Sequence, residues 1–222
     1  MNGVKLLLLD CSPRNDKSTS RHFTQHLLPA LANLTAGEVQ VTRRNLGIEP
    51  LPAITAEYAE SLLLPAADAK ARFGEALALS DELIEELDKA DVLWISTPVH
   101  NFTVPAVLKA WIDHVVRRDV TFVATEAGKV GLLRDRPTFV AVTSGGAMFH
   151  EPPRQPDFFR PYLSTVLGVM GLKNVTFMHA NGLAFSDEPL STVEAKAAQW
   201  IGEGKFNHVS ESINPLSSDI SV

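Results

Sequence analysis

The sequence predicts an α/β fold: one doubly wound, five-stranded parallel sheet of strand order 2-1-3-4-5, with helices on both faces. Apolar runs alternate along the chain with longer amphipathic segments, as in βαβ units. The runs at 4–10 and 91–97 are almost continuously apolar, which is typical of strands buried on both faces. The chain has 222 residues, 45% of them hydrophobic, and no Gly/Ser-rich or Pro-rich linker divides it. One domain over residues 1–206 is therefore expected.

The first βα unit begins with the strand at 4–10, which turn-forming residues follow. Residues 20–34 predict a helix, because Phe23 and Leu27 fall on one of its sides. Pro29 lies inside that segment and lacks a backbone N–H, so we expect it to kink the helix or end it early.

The second strand is predicted at 39–43, where apolar and polar residues alternate. Residues 50–65 are irregular, with short helical pieces. A long helix is then expected over about 67–89, because its apolar residues recur at close to helical spacing. The buried run at 91–97 supplies the third strand.

The helix after the third strand is predicted at 103–117, with Thr103 as its cap and Pro105 in its first turn. Apolar runs predict two further strands, each followed by a Gly-containing turn, at 138–143 and 174–180. The remaining helices are expected at 158–170 and 191–201.

Composition limits the classes of function. The formal net charge is −6 and the charges are interspersed, so a nucleic-acid partner is not expected. Cys11 is the only cysteine, which excludes an internal disulfide and fits a reducing compartment. Neither a signal peptide nor a membrane-spanning run is recognisable, so we expect a cytoplasmic protein without a membrane partner. Residues 207–222 are expected to be a loose tail or an arm across a partner.

Parallel sheets of this kind bind ligands at the carboxyl ends of their strands, where the winding direction reverses. For the predicted order the reversal lies between strands one and three. The loops that should meet there are 11–20, 98–103 and 144–149.

Each of these loops has a functional and a purely structural interpretation. Hydroxyls and free N–H groups before the first helix form an anion site, or simply cap that helix. The second loop offers backbone amides and aromatic surface to a flat ring, or is an ordinary strand-to-helix turn with a packing Phe. The third contains a Gly pair that lets backbone approach a ligand closely, or is a plain turn.

The residues of these loops resemble the FMN-dependent NADH-azoreductase family, within the larger group of flavodoxin-like quinone reductases. The likeness extends over nearly the whole chain apart from the tail. It is carried by the ordered segments 9–14 with Ser18 and Ser20, 76–84, 98–102, 108–113, 120–122, 145–146 and 161–168.

The resemblance implies a flavodoxin-like fold with FMN as cofactor. It assigns the phosphate to Ser12, Ser18 and Ser20, the ring to Pro98, Val99, His100, Asn101 and Phe102, and the far flavin edge to Thr143, Ser144, Gly145 and Gly146. The family forms homodimers with active sites at the interface. Aromatic substrate walls are then expected from Phe122 and from Phe159 or Tyr162.

The implied activity is ping-pong hydride transfer from NADH or NADPH, through the flavin, to a small aromatic acceptor such as a quinone or an azo compound. Three positions depart from the family pattern: His100 replaces a Tyr, Ser144 an Arg and Met148 a His. These departures concern the substrate side. His100 is the candidate to give the acceptor a proton or hydrogen bond, although a His that merely packs is commoner.

Three other classes of protein share some of these features. Cys11 and the loop after it resemble the C-x5-R phosphate loop of low-molecular-weight tyrosine phosphatases, but Lys17 stands where that loop has Arg, and the chain lacks their late Asp-Pro. A buried structural thiol is the better interpretation of Cys11. A flavin-binding electron carrier or redox sensor stays open. A classical dinucleotide-binding protein is disfavoured, because the G-x-G-x-x-G turn does not follow the first strand.

No metal site is predicted. His22 and His26 are four residues apart on a helix, as metal ligands can be, but no acidic or Cys partner is evident near them in the sequence. An exposed helical pair is the expectation.

Overall fold

A computed structural model describes residues 3–34, 38–150, 152, 154–204 and 206. The predicted tail, 207–222, lies outside the described residues. The strands are β1 (Val4–Asp10), β2 (Val39–Arg44), β3 (Val92–Pro98), β4 (Phe122–Thr125), β5 (Gly128–Gly131), β6 (Thr138–Thr143) and β7 (Val175–Ala180). The helices are α1 (Thr19–Leu34), α2 (Ala56–Ser61), α3 (Ala66–Lys89), α4 (Ala106–Val115), α5 (Phe159–Met170) and α6 (Pro189–Gly202).

The main sheet is parallel throughout and has the order β2-β1-β3-β6-β7. This confirms the predicted 2-1-3-4-5 arrangement. The antiparallel hairpin of β4 and β5 stands apart from it and was not predicted. Its strands have four residues each and are largely exposed, so they lack the apolar run that marks the central strands.

The sheet divides the core into two layers, because successive side chains of a strand point to opposite faces. On one face Leu7 and Leu9 of β1 pack with apolar residues of α3, α4 and α5. On the other, Leu6 and Leu8 pack with α1 and α6. Helices therefore cover both faces, which explains why β1 and β3 read as continuous apolar runs.

Two local predictions are wrong. Helix α4 begins at Ala106 with Pro105 as its N-cap, and Thr103 pairs instead with the backbone of His100. Helix α1 does not end early at Pro29 but continues to Leu34, while a kink at Pro29, the other alternative, stays a prediction. Pro29 is on the exposed side of the helix, where water can hydrate the backbone carbonyl that its missing N–H leaves unpaired.

Among the described residues, none of the helices combines the length and apolar character needed to cross a membrane.

Candidate functional site

A cavity of about 350 Å³ opens at the carboxyl ends of β1, β3 and β6. It is lined by the first, second and third predicted loops together with the segment that joins β7 to α6. Its volume falls within the range of roughly 300–1,000 Å³ that is usual for small-molecule sites. The predicted convergence of the three loops is therefore present in the structure.

The first loop contributes Ser12, Pro13 and Arg14 to the cavity, followed by Thr19 and Ser20 in the first turn of α1. Backbone N–H groups in the first turn of a helix have no intrahelical partner, and the helix dipole makes this end partly positive. An anion in the cavity would therefore meet N–H donors, the Ser20 hydroxyl and the Arg14 guanidinium.

The three predicted phosphate serines do not have the same environment. Ser18 Oγ accepts a hydrogen bond from the Arg21 N–H at 3.2 Å and so caps α1. It also lies 3.1 Å from Ser20 Oγ, and both side chains are buried. Ser12 and Ser20 line the cavity, whereas Ser18 does not. Ser18 thus caps α1, while its neighbours Ser12 and Ser20 line the cavity.

Residues that do not line the cavity hold the first loop in place. The Arg43 guanidinium donates a 2.9 Å hydrogen bond to the buried Asp10 carboxylate at the end of β1. The Gly47 N–H donates to the Asp10 carbonyl at 3.0 Å. A β-carbon at position 47 would lie only 2.2 Å from the Ser12 carbonyl oxygen. The segment after β2 therefore presses directly on the backbone of the loop that lines the cavity.

The second loop is a tight turn. The backbones of His100 and Thr103 exchange two hydrogen bonds of 3.0 Å. Between them, Asn101 and Phe102 have φ values of 47° and 72°. Positive φ at both central positions is the geometry of a type I′ turn, which favours Asn-Gly and is strained for Phe. Phe102 is 45% exposed, so burial of its side chain offsets that strain only in part.

Pro98, Val99 and His100 of this loop line the cavity; Asn101 and Phe102 follow them but do not line it. The Val99 N–H donates to the Thr143 carbonyl at 2.8 Å, which joins the second loop to the third. The His100 side chain is exposed.

The third loop supplies Thr143, Ser144 and Gly145 to the cavity. Gly146 does not line it, and its carbonyl accepts the Gly182 N–H at 2.8 Å. Met148 is buried in the core, so this departure from the family pattern lies away from the cavity wall.

The fourth lining segment was missed. Leu183 and Ala184 lie beyond the end of β7, and Pro189 begins α6. The Leu183 N–H donates to the Ser144 carbonyl at 3.1 Å. The predicted strand order already placed the fifth strand beside the fourth, so the position of this loop could have been found.

The predicted aromatic substrate walls do not line the cavity. Phe159 has no exposed surface and packs against Phe149 and Phe177, so its assignment as a wall is wrong for this conformation. Phe122 is buried, with Lys129 Nζ 4.8 Å from its ring centroid. Tyr162 is half-buried on α5, and burial raises the pKa of its hydroxyl.

Cys11 has no exposed surface, and burial, assisted by the charge of Asp10, raises the pKa of its thiol far above the usual range. A nucleophilic cysteine needs an accessible thiolate at neutral pH. Cys11 is therefore a structural residue, as expected from the sequence.

The fold brings His22 and His26 an acidic partner that is not near them in the sequence. Glu194 of α6 lies beside them, 2.7 Å from His22 Nε2. The two helices are far apart in sequence but adjacent in the fold.

The chemistry of the cavity walls suits FMN, the predicted cofactor. One end offers hydroxyls, N–H donors and an Arg, which suit a phosphate. The Pro98 and Val99 side offers apolar surface with nearby backbone polar groups, which suits a flat heteroaromatic ring.

Comparison with known proteins gives consistent matches over nearly the whole chain. A family model described as having a flavodoxin-like fold matches residues 4–203. The chain is 42% identical over 198 residues to FMN-dependent NADH:quinone oxidoreductase 2 of Cupriavidus pinatubonensis, covering 89% of this chain and 96% of that relative. It is 43% identical to FMN-dependent NADH:quinone oxidoreductase 5 of Burkholderia lata, covering 87% and 93% of the two chains.

Among solved structures, an FMN-dependent NADH-azoreductase from Bacillus anthracis in complex with FMN is similar, with a TM-score of 0.72. The match covers 90% of this chain and 98% of that chain at 24% sequence identity. At this level of identity the likeness concerns the fold.

Proposed function

The chain belongs to the flavodoxin-like fold family, and from this premise we propose that it is an FMN-dependent NADH:quinone oxidoreductase. One observation carries the proposal. A cavity with an anion-binding end and an apolar side lies where the winding direction of the sheet reverses, in a chain that is about two-fifths identical to enzymes of that name. Azo compounds are a second class of acceptor, because the chain also resembles the azoreductase family in sequence motifs.

The FMN phosphate is assigned to the start of α1. Ser12 and Ser20 would donate hydroxyl hydrogen bonds, and Thr19 and Ser20 would add backbone N–H donors. Arg14, at the exposed rim of the loop, contributes positive charge. Ser18 acts behind these groups by capping α1 and fixing the Ser20 hydroxyl at 3.1 Å.

The isoalloxazine ring is assigned to the side formed by the second and third loops. Pro98 and Val99 provide apolar surface, and Gly145 allows close approach because it has no side chain. FMN held by these residues would supply two-electron, hydride-transfer chemistry between a nicotinamide and the acceptor.

His100 is assigned to the acceptor side. Its exposed ring lines the cavity, so it can donate a hydrogen bond or a proton to a quinone oxygen as that oxygen gains negative charge. Phe102, two residues later, offers an exposed aromatic face to the acceptor. The replacement of the family's Arg by Ser144 leaves a small, neutral side chain in the cavity wall.

The absorption spectrum of the purified protein tests the cofactor assignment directly. We expect a yellow protein whose chromophore, released by denaturation, co-elutes with FMN. Anaerobic addition of NADH should bleach the flavin absorption, and a benzoquinone should restore it. A colourless preparation that does not take up added FMN would exclude the proposal.

The same preparation distinguishes the alternatives. An electron carrier or sensor would bind FMN without sustaining steady-state oxidation of NADH by a quinone. A phosphatase would hydrolyse an aryl phosphate. The buried Cys11 thiol argues against this activity.

We further propose that the protein is a homodimer in the cytoplasm, with residues 1–206 as one FMN-binding domain. The sequence motifs shared with a dimeric family support the dimer. The single cysteine fits a reducing compartment. Sedimentation should give a species of twice the 24.2 kDa chain mass, and a monomer at micromolar concentration would contradict the dimer.

A further inference from the structure

The seam between α1 and α6 carries a cluster of side chains that the oxidoreductase site does not use. His22 and His26 lie one turn apart on α1, and Glu194 faces them from α6. One potential ligand atom from each residue falls within 4.8 Å of the other two. We propose that these three residues bind a divalent transition-metal ion of the Zn²⁺ type.

The donor set matches the preference of the ion. Two imidazole nitrogens and one carboxylate are typical zinc ligands, and water can occupy the fourth position. At Zn–ligand distances of about 2.0–2.1 Å, two ligands of a tetrahedral ion lie about 3.3 Å apart. Glu194 Oε1 lies 2.7 Å from His22 Nε2 and 3.7 Å from His26 Nε2. These two distances lie on either side of the required value, and all three ligand atoms lie within 4.8 Å of one another, so small side-chain movements would complete the tetrahedral arrangement.

The orientation of His26 supports the assignment. Its Nδ1–H donates to the backbone carbonyl of His22 at 2.9 Å. In a neutral imidazole this hydrogen bond places the ring proton on Nδ1 and leaves Nε2, which lies 3.7 Å from Glu194 Oε1, as the nitrogen available to a metal. Metal-binding histidines commonly have such a bond from the other ring nitrogen, because it fixes the tautomer and the ring direction.

The cluster is held by a rigid frame. Phe23 and Leu27 of α1 and Val193 of α6 have no exposed surface and belong to one apolar cluster. Each is adjacent in sequence to one of the proposed ligands. The backbones that carry the ligands are therefore fixed by core packing, and only short side-chain movements are needed to close on an ion.

The position of the ion would tie together two helices that begin at the FMN cavity. Thr19 and Ser20 of α1 and Pro189 of α6 all line that cavity. Exposed fractions of 24%, 41% and 47% for His22, His26 and Glu194 leave the site open to metal from solvent.

Zinc titration of the untagged, FMN-loaded protein tests the proposal. By calorimetry we expect one Zn²⁺ per chain. At free zinc of 100 times the dissociation constant, the melting temperature should rise by about 5–10 °C.

Two variants locate the ion. His26→Ala removes one ligand but leaves the His22–Glu194 hydrogen bond intact, and Glu194→Gln keeps a hydrogen-bonding group while removing the charge. Each should weaken zinc binding at least tenfold. His150→Ala is the control, because it removes an exposed histidine outside the cluster. This variant should have the zinc affinity of the wild type.

The proposal would be overturned if the wild-type protein gave no heat of zinc binding in calorimetry and no rise in melting temperature with zinc. Equal zinc affinity in His26→Ala would also overturn it, since the ion would then be bound elsewhere, for instance at the FMN phosphate. The hydrogen bonds among the three residues would in that case serve only to join the helices.

Discussion

At the scale of single residues, Ser18 and Ser20 show that neighbouring serines of one predicted motif can have different environments. Both are buried at the start of α1, but Ser18 caps the helix while Ser20 lines the cavity. Sequence alone predicts capping and phosphate binding equally well for this loop, because the same residue types do both. The three-dimensional arrangement separates the serine that caps the helix from the serine that lines the cavity.

The two serines therefore give a matched pair of variants. Ser20→Ala should raise the FMN dissociation constant severalfold with little change in the stability of the FMN-free protein, because it removes a donor from the cavity. Ser18→Ala should lower the free energy of unfolding by about 1 kcal/mol, because it removes a helix cap. Fluorescence titration with FMN and urea unfolding measure the two effects. Wild-type FMN affinity in Ser20→Ala would remove this residue from the phosphate site.

Phe102 provides the second prediction at this scale, because it combines a φ of 72° with an exposed aromatic ring. Phe102→Gly should raise the free energy of unfolding by about 1–2 kcal/mol, since Gly adopts positive φ without the penalty of a side chain. The same change should lower kcat/KM for the quinone, because the aromatic surface is lost.

Phe102→Ala separates the two effects, as it removes the ring but keeps a β-carbon at positive φ. It should lose activity like Phe102→Gly and gain no stability. If Phe102→Gly is as active as the wild type, the ring has no part in acceptor binding.

At the scale of secondary-structure elements, continuous apolar runs predicted the central strands almost to the residue. Strands β1 and β6 have their predicted bounds, and β3 is displaced by one residue, because burial on both faces leaves a strong signal. The β4–β5 hairpin gave no such signal because most of its residues are exposed. Thr103 does not cap α4, because its backbone is hydrogen-bonded to His100 across the tight turn at Asn101 and Phe102. The sequence does not predict that turn, because Phe is not a residue type that favours positive φ.

Helix α1 tolerates a proline that the sequence pattern predicted to disturb it. Pro29→Ala should restore an N–H donor to the Gln25 carbonyl and raise the free energy of unfolding by about 2 kcal/mol. Urea unfolding of the FMN-free protein measures this. Gln25→Ala, a substitution four residues earlier on the exposed side, should change stability by a few tenths of a kcal/mol at most. Equal stability of Pro29→Ala and wild type would show that the missing hydrogen bond has no net cost in α1.

At the scale of the whole molecule, the site depends on the meeting of loops that are far apart in sequence. The strand order predicted three of them, since parallel strands that start from one edge end at the other. The walls beyond those loops could not be predicted residue by residue. Phe159, for example, has the character of a substrate wall in the sequence, and only packing shows that its ring belongs to the core.

The pH dependence of the free energy of unfolding tests whether packing keeps the His179 side chain of β7 uncharged in the folded protein. His179 lies between the rings of Phe149 and Trp200, with centroid distances of 4.9 and 5.3 Å. Burial lowers the pKa of His179 to about 4; Arg160 and Lys196 act in the same direction, and Asp157 and Glu203 oppose them. Its Nδ1 has no hydrogen-bond partner among the described residues.

The sign of the effect follows from the two states. Between pH 6.5 and 4 the unfolded chain binds a proton at His179 that the folded protein does not, so stability falls as the pH is lowered. We expect His179→Gln to lose less stability than the wild type between pH 7 and 5 in urea unfolding. The carboxylates titrate in both proteins and cancel in the comparison. Parallel pH profiles would show that the imidazole is freely protonated in the folded state.

The contact between Gly47 and the backbone of Ser12 has a consequence for anyone who wishes to alter this protein. Position 47 lines no part of the cavity, so a mutagenesis library aimed at ligand-contacting residues would leave it alone, and one aimed at surface turns would randomise it. Any replacement there would insert a side chain where the Ser12 carbonyl already stands, and the first loop, which lines the cavity, would have to move. The codon for Gly47 should therefore be held fixed when the turn after β2 is diversified.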